Sequence, residues 1–347
     1  MSLGVVVRTA ATLRGKRMAD DQPRISVVVP SYNRASFLPG CVRSLRECGV
    51  AGLEIVVVDD GSTDETRAVV ESLQPGLTYV YQENKRLPGA RNTGIRASRG
   101  RYIAYLDSDD YWLPGVPERM ADLLDRHPEL GLVFADARMG NPEKGYESWY
   151  KAAGGGEFSS LPAIEPEPGL RILEPLPLYR LMLKQNPIFT GAMMLRREVV
   201  LDAGMFDETL VTGEDWEVWL RLVHRVRFGA WHEPMAIYTK HDGAMTANRE
   251  FMQKAWCEAL LRHARQAPGL GVGSADRRLL RAAIRRQLFG YGYTAYDRGD
   301  YRTARERFGR ALRDGPFSPT AAALWAVCAL PNPLPRLVRR VKQVVTG

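Results

Sequence analysis

Residues 25–34 read Ile25-Ser26-Val27-Val28-Val29-Pro30-Ser31-Tyr32-Asn33-Arg34, and residues 54–64 repeat the design as Glu54-Ile55-Val56-Val57-Val58-Asp59-Asp60-Gly61-Ser62-Thr63-Asp64. A short β-branched run that stops in a polar cluster marks a strand covered on both faces, because such strands are apolar without alternation. Working outward, further strands are predicted at 77–81, 102–106 and 132–134, with helices at 37–47, 64–73, 90–97 and 118–126. This alternation predicts an α/β fold with a mixed, mainly parallel sheet flanked by helices. Ser62 and Glu65 stand at capping-box spacing before the second helix.

Chemistry in such sheets gathers at the carboxyl ends of strands, and three polar clusters fall there. The fourth strand ends in Asp107-Ser108-Asp109-Asp110. Two carboxylates placed close together repel unless a cation joins them, and oxygen-only ligation suits Mg2+ or Mn2+. Taken alone, an acidic turn explains them equally well. Asp59 and Asp60 suit a base N–H or a ribose hydroxyl, with a turn and helix cap as the alternative. Pro88-Gly89-Ala90-Arg91-Asn92 is expected to open a helix, turning free N–H groups and the Arg91 charge toward phosphate; a surface arginine on a first turn is the alternative. Glu214-Asp215 offers a general base, or simply the acidic start of an apolar helix. His241, beside Lys240, is either a contact to metal or diphosphate or a structural histidine.

Four motifs in order, Val27 to Arg34, Ile55 to Asp64, Pro88 to Gly94 and Ile103 to Asp110, resemble the family 2 inverting glycosyltransferases of the GT-A fold. The resemblance covers about residues 24–245. It implies that Pro30, Tyr32 and Arg34 line a nucleoside pocket and that Asp59 or Asp60, helped by Arg91, holds the base. Asp107, Ser108 and Asp109 match the family's Asp-x-Asp segment, which implies ribose contact and Mg2+ or Mn2+ held by Asp107 and Asp109, with His241 beside them. Phe206-Asp207-Glu208 and Gly213-Glu214-Asp215-Trp216 resemble the acceptor side, with Asp215 as the base. The implied reaction moves a sugar, with inversion, from a nucleotide-sugar donor (a UDP-sugar is favoured) to a saccharide or lipid-linked acceptor in cell-surface polysaccharide or glycolipid assembly. No Gln-x-x-Arg-Trp is present, which argues for adding a single sugar. A sugar-phosphate nucleotidyltransferase is the nearest rival, but no glycine-rich loop with trailing Arg and Lys follows the first strand. A non-catalytic adaptor would not need Asp107, Asp109 and Asp215 intact.

Around this core, residues 1–23 are expected to be a disordered extension and 24–250 the catalytic domain. Within it, 140–177 is rich in Gly, Pro and Glu and reads as a mobile loop or lid. Residues 251–347 read as helical, with one tetratricopeptide-like hairpin around Leu288, Tyr296, Gly299 and Phe308 and a basic amphipathic tail after Pro331. Residues 277–347 hold 15 Lys+Arg against 4 Asp+Glu, while residues 1–276 hold 33 against 36. That asymmetry and the amphipathic tail suggest peripheral contact with an anionic membrane, with a solvated terminal helix as the equal alternative and no nucleic-acid partner expected. Cys41, Cys48, Cys257 and Cys328 lack metal-ligand spacing and read as thiols of a reducing compartment. A cytoplasmic protein, on or off the inner membrane face, is the expectation.

Overall fold

The computed structural model describes residues 6–8, 22–152, 155–241, 243–314 and 317–330. Two compact units divide the chain after His241, not after residue 250. Twelve strands form one sheet in the first unit. In chain order they are β1 (Val6–Arg8), β2 (Ile25–Ser31), β3 (Glu54–Asp59), β4 (Leu77–Tyr81), β5 (Tyr102–Tyr105), β6 (Tyr111–Trp112), β7 (Leu130–Asn141), β8 (Gly145–Ser148), β9 (Ala163–Glu167), β10 (Leu170–Leu173), β11 (Met193–Arg196) and β12 (Arg227–Thr239). They lie in the order β1-β4-β3-β2-β5-β11-β7-β12-β10-β9, with β6 on β12 and β8 on β7.

Strands β4, β3, β2 and β5 run parallel, as do β7 and β12, whereas β11 is antiparallel to both of its neighbours. From β2 the chain moves one way to β3 and β4, then returns to the other side as β5. The ends of β2, β3 and β5 therefore flank a switch point, where open sheets leave a crevice. Val27, Val28 and Val29 are fully buried, as the unbroken apolar run demands. The helix Arg86–Ala97 crosses β2 so closely that a Cβ on Gly94 would lie 2.1 Å from Val28 Cγ1. Only glycine allows that approach.

Three expectations need correction. Residues 1–23 are not wholly outside the fold, since Val6–Arg8 pairs antiparallel with β4, whose edge is otherwise open. Residues 140–177 are not an irregular loop: they carry β8, β9 and β10, the short helices Trp149–Ala152 and Gly155–Ser159, and the start of the helix Pro175–Met182. β8 and β9 are largely exposed and carry no apolar run, and the segment is fixed instead by a few anchors such as buried Phe158, Leu170 and Ile172. The capping box at Ser62 and Glu65 does not form; the helix Thr66–Ser72 has no side-chain cap, and Ser62 serves another loop.

The second unit contains the helices Arg249–Gln266, Ser274–Asp297, Tyr301–Asp314 and Pro319–Val327. Gly299, at φ +82°, makes the turn between the second and third. Tyr296, Ala304 and Phe308 are buried where those two helices meet. The basic tail lies outside the described residues. No described helix is long and apolar enough to cross a membrane, and all four cysteines are free and buried.

Candidate active site

The loops after β2 and β3 are bound to each other. Asn33 takes the left-handed conformation, φ +53°, which asparagine tolerates better than most residues. Its Oδ1 accepts from the Thr63 N–H (2.8 Å), its own N–H donates to Ser62 Oγ (2.9 Å), and the Ala35 N–H donates to Asp64 Oδ2 (3.1 Å). This cross-bracing leaves Tyr32 half exposed at the rim and directs Arg34 inward, with its Nε 3.6 Å from Asp109 Oδ2. Pro30 is buried within β2.

Asp59 and Asp60 are both buried. Asp59 has each oxygen already engaged, by the Ser62 N–H (2.9 Å) and by the Tyr79 hydroxyl (2.7 Å). It braces the turn, and each oxygen keeps a second lone pair for a further donor. Asp60 Oδ1 accepts from Gln82 Nε2 (2.6 Å) and the Lys85 N–H (2.8 Å). Burial raises its pKa against these donors.

At the end of β5, Asp107 keeps about a third of its side-chain surface, Ser108 is buried, and Asp109 lies between Arg34 and His241. His241 Nε2 is 3.0 Å from Asp109 Oδ2, and its ring rests 5.0 Å from that of Phe37. Asp110, absent from the expected set, is fully buried; Oδ1 accepts from the Thr239 N–H (2.9 Å), tying this turn to the end of β12 just before His241. Its Oδ2 has no partner among the described residues. Burial, then Asp107 and Asp109, push the Asp110 pKa well up. Among the described residues no three His, Cys, Asp or Glu side chains gather as a complete metal set.

Arg91 departs most from expectation. The helix begins at Arg86, so Arg91 lies in its second turn, and its side chain is 3% exposed. One amino group donates to Asp107 Oδ1 (2.9 Å) and the other to Glu214. A buried cation needs such partners, so the charge is spent on two carboxylates rather than left facing a ligand. Burial opposes its charge, but Asp107, Glu214 and Asp215 outweigh it and raise its pKa. The rings of Tyr105 and Phe206 flank it at 5.9 and 5.7 Å.

Across Arg91 lies the helix Glu214–Leu222, which starts after Gly213 at φ +79°. Glu214 is buried, and burial pushes its pKa up to about 7, against the pull of Arg91. Asp215 turns the other way. Its Oδ2 accepts from Asn186 Nδ2 (3.2 Å) and Thr190 Oγ1 (3.1 Å). Oδ1 makes no such bond among the described residues, and Asp215 is near enough to Asp107 to oppose its charge. Asn92 fastens the neighbouring segment: Oδ1 accepts from the Phe206 N–H (3.0 Å), while Nδ2 donates to the Phe206 carbonyl (2.9 Å) and to Glu208 (2.8 Å). Sequence reading missed Asn186, Thr190 and Asn92 as contributors. Only Asn92 left a signal, as a member of the Pro88-to-Gly94 motif.

Comparison with known proteins fits this arrangement. The family model described as Glycosyl transferase family 2 matches residues 26–203. An uncharacterized glycosyltransferase of Rickettsia conorii is 26% identical over 205 residues, 57% of this chain and 31% of that protein. The chondroitin synthase of Escherichia coli is 34% identical over 119 residues, 33% of this chain and 17% of that protein. The chain therefore spans a third or less of these two relatives. In fold it is similar to S. aureus TarS 1-349, solved in complex with UDP-GlcNAc, with a TM-score of 0.63 at 19% identity, covering 87% of this chain and 83% of that one.

Proposed function

The chain belongs to glycosyl transferase family 2, and from that premise we propose that it moves one sugar from a nucleotide-sugar donor, a UDP-sugar by preference, to an acceptor hydroxyl with inversion. The observation that carries this is the Asp215 carboxylate, held by two donors on Oδ2, with Oδ1 free of hydrogen bonds among the described residues and near enough to Asp107 to oppose its charge. A base must present one oxygen to the attacking hydroxyl in a fixed direction. Two donors on the other oxygen do that.

The donor lies, in this reading, over the ends of β2, β3 and β5, against Tyr32, Arg34, Asp60, Asp107 and Ser108. Support for the UDP preference comes from the likeness to TarS, whose structure holds UDP-GlcNAc. Mg2+ or Mn2+ fits Asp107 and Asp109: both carboxylates are partly exposed, and Asp107 Oδ2 lacks a hydrogen bond among the described residues. His241 stands at Asp109 as a third candidate contact. The cation, when bound, offsets negative charge on a leaving diphosphate. Arg91 fixes Asp107 in place, and Arg34 brings a second positive charge to Asp109. Asp215 takes the acceptor proton as the hydroxyl attacks the anomeric carbon. The anomeric configuration is inverted in that single displacement.

For the acceptor side we propose a saccharide or a lipid-linked glycan. Residues 242–347 carry 19 Lys+Arg and 8 Asp+Glu, a balance that supports peripheral contact with an anionic membrane surface. The test is to incubate full-length protein with a panel of UDP- and GDP-sugars, Mn2+ and simple saccharides, following the anomeric protons by NMR. Nucleoside diphosphate release with a product of opposite anomeric configuration is expected. Retained configuration, or no turnover of any donor by transfer or hydrolysis, would count against the proposal.

A further inference from the structure

Beyond Asp215, the stretch from β8 to β10 and the start of β12 line an open cavity of about 520 Å3 to which the reaction above assigns no role. Its walls are chemically one-sided. Ten residues line it; three of them, Lys151, Arg171 and His232, are basic, and none is acidic. Three aromatic residues, Tyr150, Phe158 and Trp231, form much of the rest. The Tyr150 and Phe158 rings are 4.6 Å apart, and the Tyr150 hydroxyl donates to the Phe134 and Trp231 carbonyls (3.3 and 3.2 Å), which locks this floor.

Two features separate this cavity from a packing defect. Trp231 is 5% exposed, yet its indole Nε1 has no partner among the described residues. A buried indole N–H normally finds an acceptor, and the one on this lining residue has none among the described residues. Gly169, at φ +89°, lets the backbone pass close against this wall: a Cβ there would lie 2.2 Å from His232 Nδ1 and 3.1 Å from Trp231 Cη2. Arg171 spends its amino groups on the Phe158 and Leu161 carbonyls and its Nε lies 3.5 Å from Glu165 Oε1, so its charge is paired and Lys151 is left as the cation of this wall. Lys151 is exposed and has no ion pair among the described residues. Flat aromatic surface, an unused donor and a free cation together suit a sugar ring that carries a negative group.

The cavity is also linked to the base. Trp149 precedes Tyr150 in the four-residue helix Trp149–Ala152, donates to the Pro187 carbonyl (3.2 Å) and sits 5.3 Å from the Phe189 ring. Pro187 and Phe189 lie between Asn186 and Thr190, the residues that hold Asp215. We propose that the cavity is a remote acceptor subsite for an acidic sugar, bearing a carboxylate or a phosphate, within a glycan whose reacting hydroxyl lies at Asp215. This deepens the glycosyltransferase reading and rests on it.

The experiment uses full-length protein with UDP in excess to occupy the donor side, and titrates glucuronic acid, glucose 6-phosphate and glucose by saturation-transfer NMR at one ionic strength. At least one acidic sugar is expected to bind on the order of tenfold tighter than glucose, and whichever it is assigns the carboxylate or the phosphate. Lys151→Glu, on the surface, is expected to weaken that sugar about tenfold, and Trp231→Phe, which keeps the ring and removes the N–H, several-fold, with UDP affinity unchanged in both. Equal binding of glucose, no binding of either acidic sugar, or indifference to Lys151→Glu would overturn the subsite. Failure of the wild type to bind UDP would instead strike the donor reading, and is measured separately.

Discussion

The donor half of the cleft rests on backbone, whereas the acceptor half rests on individual side chains. Arg34, Asp60, Asp107 and Asp109 follow directly from the ends of three adjacent parallel strands, whose positions are set by a ladder of main-chain hydrogen bonds. Asp215 arrives on a helix begun more than a hundred residues later and is aimed by two side-chain donors, Asn186 and Thr190. The first arrangement tolerates change around it because the sheet holds the geometry. The second depends on each donor. Arg91 is the joint, since its two amino groups reach one carboxylate from each half.

The sharpest way to break the comparison is at that joint. Arg91→Leu leaves Asp107 and Glu214 without their buried partner, and is expected to cost about 3–5 kcal/mol of stability in urea unfolding, as for other severed buried pairs. Adding Glu214→Leu should recover part of that loss, because a buried pair replaced by apolar groups is far less harmful than a lone buried charge. If the single and double variants unfold alike, Arg91 does not couple the halves.

A smaller effect is expected from loosening the acceptor half alone. Asn186→Ala with Thr190→Val removes both donors on Asp215 Oδ2 and should lower kcat roughly ten- to a hundredfold, the worth of one or two hydrogen bonds to a charged group, with the donor KM nearly unchanged. Thr190→Ser restores a hydroxyl and should rescue most of the loss. A rise in donor KM of similar size would show that the two halves are not separable.

The smallest expected effect is a slope. Glu214 has a folded pKa raised to about 7 by burial, above the ordinary carboxylate value near 4.3. The folded state therefore binds the extra proton, and this contribution to stability is full below the unfolded pKa and lost as pH rises through 7. Unfolding free energies measured from pH 4 to 8 should decline less steeply in Glu214→Gln than in the wild type. Parallel curves would mean that Glu214 stays ionised beside Arg91.

The same contrast explains what sequence could reveal. Runs such as Val27-Val28-Val29 and Ile55-Val56-Val57-Val58 announce covered parallel strands, and polar clusters after them announce the crevice, because strand, turn and site are neighbours along the chain. Asp107 and Asp109 were legible for that reason. The grip of Asn186 and Thr190 on Asp215 spans 29 and 25 residues, and no local pattern encodes it. Arg91 was visible as a cation beside the crevice, but its burial depends on Glu214 reaching it across 123 residues. Between 140 and 177, Gly and Pro suggested an irregular loop because β8 and β9 are largely exposed strands that carry Glu and Pro, so neither an apolar run nor an alternating pattern marks them.

The most direct test of the account is to measure, on Asp215→Asn, UDP-sugar affinity by calorimetry in Mn2+ and transfer by the NMR assay. Loss of a positioned base predicts transfer lower by roughly a hundredfold or more, with donor affinity within about twofold of the wild type. Transfer at the wild-type rate, or loss of donor binding in step with activity, would contradict the assignment of Asp215 to the acceptor side.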